Sequence, residues 1–158
     1  MEARVKCYQC RRSTSMEVLG PVSGEEPQLT MTVHGLPVQV CENGHRHFTH
    51  TKGALQRLLR LASEGGAPLP ISREKGRLFK RRVCSDCGAG VERKSRRWQT
   101  FHVEMQFTEL PPFGIDLTLP VYHCRACGKE HIRSSKEIRE RAPAALVRAL
   151  QAAGIGQE

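Results

Sequence analysis

The stretch VQVCENGHRHF, residues 38–48, breaks a pattern that the rest of the chain keeps. Elsewhere the cysteines come in pairs two residues apart: Cys7 with Cys10, Cys84 with Cys87, Cys124 with Cys127. Cys41 stands alone, and Asn43-Gly44-His45 occupies the place of a partner. A CxxC turn presents two thiolates from one tight loop, and two such turns complete a tetrahedral zinc site. Cys84, Cys87, Cys124 and Cys127 therefore make one four-cysteine set. Cys7, Cys10 and Cys41 lack a fourth ligand.

His45 follows Cys41 by four residues, a reach found in Cys-His knuckles, and Gly44 frees the backbone to turn the imidazole inward. His47 is the competing candidate, and His50 is a weaker one. Two structural Zn2+ ions per chain are thus expected, one on Cys7, Cys10, Cys41 and His45, the other on the four later cysteines. His34, His123 and His131 read as surface or knuckle-flanking residues. His102-Val103-Glu104 ahead of Cys124-Arg125-Ala126-Cys127 is a partial match to the zinc-deaminase signature. The proline sits at Pro120, however, and Cys84 and Cys87 would be left idle. An enzyme is therefore not expected; no catalytic residue and no organic cofactor is assigned.

Outward from the knuckles the pattern has period two. Leu29, Met31 and Val33 alternate with polar residues, as do Phe101, Val103, Met105 and Phe107, then Ile115, Leu117, Leu119 and Val121. Each run predicts a strand with one packed and one wet face. Pro111-Pro112-Phe113-Gly114 predicts the turn of an antiparallel hairpin. Leu55, Leu58, Leu59 and Ala62 have helical spacing from Thr51 onward. A second helical segment is expected after a Ser134–Glu137 capping box, split by Pro143 into 135–141 and 143–153 and stopped by Gly154.

The order of parts repeats. The expected architecture is small α+β and metal-stabilised: two tandem zinc ribbons, each a β-hairpin with two knuckles followed by a helix. Residues 1–63 form the first module, 64–82 a basic Gly/Pro-containing linker, and 83–158 the second module with the C-terminal helices. Modules this small lean on a metal because each buries only a thin core.

The chain of 158 residues carries a formal net charge of +9. Seven thiolates on two divalent ions lower that to +6, still basic. Residues 73–97 hold ten Lys or Arg against three carboxylates, which is seven of the nine excess charges. Arg81, Arg82, Arg93, Lys94, Arg96, Arg97 and the single tryptophan, Trp98, are the candidate nucleic-acid contacts, for phosphates and a stacked base. A solvated charged surface, with Trp98 partly buried beside Phe101, is the plain alternative. No apolar run spans a bilayer and no signal peptide is read, so a cytoplasmic location is expected.

The series CxxC, hairpin, Leu-Pro-Val before the next cysteine, then Gly and a helix resembles the YgiT-type zinc finger, the zinc-binding half of MqsA-like antitoxins. It occurs twice, around 7–61 and 84–150. The resemblance implies structural zinc and a protein-docking role. The family's separate DNA-binding helix-turn-helix finds no place after Ala153. The expected function is regulatory, through RNA, DNA or a nucleoprotein complex, with a protein-docking adaptor or antitoxin-like regulator as the alternative.

Overall fold

The computed structural model describes residues 5–48, 71–94, 97–107, 110–132 and 135–155. In chain order the elements are β1 (Thr14–Val18), β2 (Val22–Glu26), β3 (Leu29–His34), β4 (Pro37–Cys41), β5 (Arg46–His47), β6 (Arg73–Lys75), β7 (Arg81–Val83), β8 (Arg97–Phe107), β9 (Leu110–His123), β10 (Glu130–His131) and α1 (Ser135–Ala152). The class is α+β, with antiparallel sheets. The expected separation into two ribbons is corrected by one pairing. Strand β3 of the first half runs antiparallel to β9 of the second, from Thr30 opposite Thr118 to His34 opposite Gly114. Strand β8 pairs along the other edge of β9, and β2 pairs along β3. A hairpin with one apolar face is unstable alone; two hairpins side by side share a single core.

The alternation places the expected residues inward. Leu29, Met31, Val33, Val103, Met105, Ile115, Leu117 and Leu119 are all buried in one cluster. Helix α1 closes that face, packing on β2 and β3. The helix is continuous through Pro143, so the expected break at that residue is corrected. An interior proline costs about 3 kcal/mol. Burying Ile138, Leu146 and Leu150 on both sides of it returns about 2 kcal/mol each. Gly154 does end the helix. Its N–H donates to Gln151 and that of Ile155 to Leu150, both at 3.0 Å, a Schellman arrangement with φ of +75° at the glycine.

The helix lies unusually close to the sheet. Ala142, Ala145, Ala149 and Ala153 form its buried stripe, and Gly24 on β2 sits beneath it. A Cβ at Gly24 would overlap the Ala145 carbonyl oxygen and come within 2.7 Å of the Ala149 nitrogen. Gly24→Ala therefore lowers stability by about 2–3 kcal/mol in thermal or denaturant unfolding. Gly20→Ala, with nothing within 4 Å, serves as the neutral control.

Two further expectations are corrected. Pro111-Pro112-Phe113-Gly114 lies inside β9, where the register with β8 shifts between Met105 and Phe107; proline in a sheet is tolerated at such an irregularity. The span 64–82 is not all linker. Ile71 bridges Ile132, and β6 pairs with β7 from Arg73–Val83 to Lys75–Arg81. The helix expected from Thr51 and the cap at Ser134 lie outside the described residues.

The other face of the sheet formed by β8, β9, β3, β2 and the short β10 is polar where β8, β9 and β3 run side by side. Asp116 on β9 accepts from both flanking strands, His102 Nδ1 at 2.6 Å and His34 Nε2 at 2.7 Å, and His102 Nε2 reaches Glu104 at 3.1 Å. Gly114 makes room for this. A Cβ there would stand 2.6 Å from His102 Cε1. The bond to Asp116, then that to Glu104, raises the His102 pKa, while His102 foremost lowers that of Asp116. The contribution of His102 is complete below its unfolded value of about 6.5 and lost as pH rises through the folded value. That of Asp116 is present above about 3.9 and lost as pH falls through its lowered value. NMR titration should give His102 a pKa above 6.5, and Asp116→Asn should move it down.

Candidate metal centres and basic groove

Each knuckle is a backbone turn that aims sulfur inward. At Cys84, the N–H donates to the Ala89 carbonyl at 2.8 Å and Gly88 donates back to Cys84 at 3.1 Å. Cys124 repeats this with Lys129 and Gly128, at 2.8 and 3.2 Å, and Cys7 with Arg12 and Arg11, at 2.8 and 2.9 Å. The knuckle at Cys41 is one residue shorter. Its N–H donates to His45, and Gly44 donates back to Cys41. The residue that would correspond to Cys127 is missing from the turn, and His45 takes the place of Lys129. Three of these turns need left-handed backbone and use glycine: Gly44, Gly88 and Gly128, at φ of 82°, 76° and 78°. The fourth uses Arg11 at φ 61°, a conformation that costs a non-glycine residue about 1–2 kcal/mol.

The turns bring together two sets of four donors. Cys7, Cys10, Cys41 and His45 form one, and Cys84, Cys87, Cys124 and Cys127 the other; within each set all donor atoms lie within 4.8 Å. Sulfur separations of 3.7 Å for Cys10–Cys41, 3.6 Å for Cys84–Cys127 and 3.5 Å for Cys87–Cys124 are far too long for disulfides. They approach the edge, about 3.8 Å, of a tetrahedron with 2.3 Å metal–sulfur bonds. His45 presents Nδ1, 3.5 Å from Cys7 Sγ. Two metal sites with four protein donors each are therefore geometrically available.

The thiols are set up to ionise unequally. Burial opposes the Cys7 thiolate, yet hydrogen bonds from His47, the backbone at Cys10 and Gln9, and His45 pull its pKa to about 5. The Cys87 backbone leads in lowering Cys84 to about 7, and the Cys127 backbone in lowering Cys124 to about 6. Although the Lys129 backbone favours its thiolate, Cys127 is pushed up to about 12 by Cys124 and Cys84 beside it. Burial raises Cys41, and Cys10, then Cys7, raise His45. Four crowded donors cannot all give up protons without a cation at the centre.

Two histidines stand behind the first thiolate of each set. His47 Nε2 lies 3.2 Å from Cys7 Sγ, and His131 Nε2 lies 3.2 Å from Cys84 Sγ. Both rings are buried, His131 completely, and Nδ1 of His131 has no hydrogen-bond partner among the described residues. With its proton on Nε2, each ring would donate N–H to sulfur. His131 was expected at the surface or flanking its knuckle; flanking is right, but the ring is fully interior. The signal was available in the sequence, because each histidine follows its knuckle glycine by three residues, GHRH and GKEH. Replacing His131 or His47 with Leu should leave metal stoichiometry intact and weaken affinity about 10–100-fold in chelator competition. A drop in stoichiometry would instead make the replaced histidine a ligand.

A groove of about 710 Å3 adjoins the four-cysteine set, lined by Lys80, Arg81, Arg82, Arg93, Arg125 and Lys136, with Glu74, Glu92 and Glu140. Lys80 and Arg82 pair with Glu74, and Lys136 pairs with Glu140. Arg81, Arg93 and Arg125 make no ion pair among the described residues. Of the expected nucleic-acid contacts, Arg81, Arg82 and Arg93 reach the groove. Arg97 is held in a bidentate bond to Glu130 at 2.8–3.1 Å, and exposed Lys94 is not part of the lining. Trp98 is 54% exposed, so it is not a core residue, and it too lies off the lining. Arg96 lies outside the described residues. Sequence reading missed Arg125 and Lys136, which join the basic span only through folding. His102 and Glu104, considered for a deaminase, belong to the Asp116 cluster and to neither metal set.

No protein-family model, curated protein or solved structure matches this chain. The resemblance to the YgiT-type zinc finger rests on the knuckle pattern. No helix among the described residues is long and apolar enough to cross a membrane.

Proposed function

We propose that this chain is a non-enzymatic zinc protein whose metal sites brace a basic groove for binding nucleic acid, in a regulatory role in the cytoplasm. The groove is the observation that carries the reading: six cations line it against three carboxylates, and three of its arginines make no ion pair among the described residues. Zinc suits thiolate-rich tetrahedral donor sets, and four protein donors per ion leave no open position for chemistry. Cys7, Cys10, Cys41 and His45 would hold one ion and the later four cysteines the second. Metal analysis should find two zinc ions per chain, and His45→Ala should release one while His45→Cys retains both. Iron in place of zinc, or a fold that survives complete metal removal, would defeat the structural-zinc part.

Binding is tested with the zinc-loaded chain. Arg81→Gln, Arg93→Gln and Arg125→Gln together should weaken binding to a labelled oligonucleotide and cut the log–log salt slope by about 2, at roughly 0.7 per contact for a single strand. An unchanged slope would remove the groove from the interface. A second reading, docking of a protein, is favoured by strand β1, which pairs only with β4 in its sheet and exposes Met16 and Val18. A stoichiometric protein that stays bound after nuclease treatment and high salt would favour it.

A further inference from the structure

The β6–β7 hairpin ends in Arg77-Leu78-Phe79-Lys80, and Leu78 and Phe79 are each 91% exposed. The other large exposed apolar residues lie between 49% and 61%. Two neighbouring apolar side chains almost wholly in water are costly, by about 25 cal/mol per Å2 of surface that could be buried. The loop that holds them is closely determined. Gly76 adopts φ +103°, and a Cβ there would meet the Phe79 carbonyl oxygen at 2.5 Å. Three residue pairs zip the hairpin, and its base runs through buried Val83 into Cys84. The four-cysteine knuckle therefore presents the tip as a fixed projection. Lys80 and Arg81, which line the groove, follow Phe79 directly.

We propose that Leu78 and Phe79 stack on an unpaired base of a single-stranded nucleic acid whose backbone runs along the groove. This rests on the nucleic-acid reading above and names its substrate class. Aromatic and apolar side chains beside a basic track are what a strand without base pairs requires, because every base has an apolar face and every linkage a phosphate. From Phe79 to Arg81 the chain spans at most about 7 Å, within reach of a base and its neighbouring phosphate. The groove favours a single strand over a duplex. At about 710 Å3 it is the size of a small-molecule cleft, and in a duplex the base faces are stacked and paired, so the apolar tip beside it would find no free face without unstacking.

The test uses fluorescence anisotropy on the zinc-loaded chain, with a 15-residue oligothymidine, an abasic oligomer of equal length and a blunt duplex. Leu78→Ala with Phe79→Ala should weaken oligothymidine binding about tenfold or more and leave the salt slope unchanged. Wild type should lose a similar factor on the abasic oligomer, while the tip variant should not distinguish the two. Duplex binding should be weaker and insensitive to the tip. If the tip variant binds oligothymidine like wild type while the groove variant does not, stacking is wrong and the nucleic-acid reading stands. If wild type binds neither strand nor duplex at low salt, both fall. If the tip substitutions abolish binding to phosphatidylserine vesicles and leave oligothymidine affinity unchanged, the tip is a lipid contact and the proposal is overturned.

Discussion

The pairing of β3 with β9 is the constraint on which the rest of the structure depends. Five residue pairs, from Thr30–Thr118 to His34–Gly114, set the register between two halves whose partners lie 80 to 88 residues apart in sequence. With side chains alternating, a slip of one residue would turn Leu29, Met31 and Val33 to water and Thr30 and Thr32 into the core. The register also decides which polar residues meet outside. His34 and His102 can share Asp116 because β9 lies between their strands. Contacts at the knuckles secure the same union. Arg46 donates to the Ala153 carbonyl at 2.8 Å, so a side chain beside the first metal set caps the helix of the second half. Ile71 bridges Ile132 beside the second set.

Much of the local structure was legible because its causes are local. Period-two alternation over 29–33, 101–107 and 115–121 marked strands and their inward faces, and CxxC spacing marked three of the four turns. Gly154 marked the helix end. What the sequence hid was relational. Nothing local says that a hairpin will complete its sheet with another hairpin and not with its own helix, so two modules were expected where one core exists. Pro143 reads locally as a break. Only the apolar contacts on both sides of it, made to a distant sheet, outweigh its cost. Nothing near Gly24 in the sequence says that the alanine stripe of α1 lies across it.

The lone Cys41 shows the same division. Its anomaly was visible, and the structure explains it as a shortened turn: closure at four residues instead of five removes one thiol and brings His45 Nδ1 into the set. The two candidate histidines were not rivals for one role. On the short strand β5, Arg46 and His47 point to opposite sides, and His47 meets Cys7 from behind, as His131 does Cys84 on β10. A thiolate inside a protein needs donors as well as a cation. N–H groups spread its charge and make it a weaker base. In each half a histidine stands within 3.2 Å of a fully buried cysteine, Cys7 or Cys84, to do this.

The two donor sets carry different mechanical loads. The set with His45 sits where the three-stranded sheet meets the end of α1, with Arg46 beside Ala153 and Ile155. The four-cysteine set sits under the groove. Val91 bridges Cys124, Glu92 N–H donates to His123 at 2.9 Å, and Arg125 N–H donates to Gly90 at 3.3 Å. Gly90, Val91, Glu92, Arg93 and Arg125 are therefore carried on backbone tied to those cysteines, and the β6–β7 hairpin leads directly into Cys84. The buried apolar cluster around this set is Val91 and Tyr122 beside Cys84 and Cys124, too little to fix the loops by itself. Without a cation, four sulfurs 3.5–3.6 Å apart along two edges would repel as thiolates or lose their geometry as thiols. An ion held by those four donors would tie the two turns together, and with them the backbone that carries Arg93 and Arg125 into the groove.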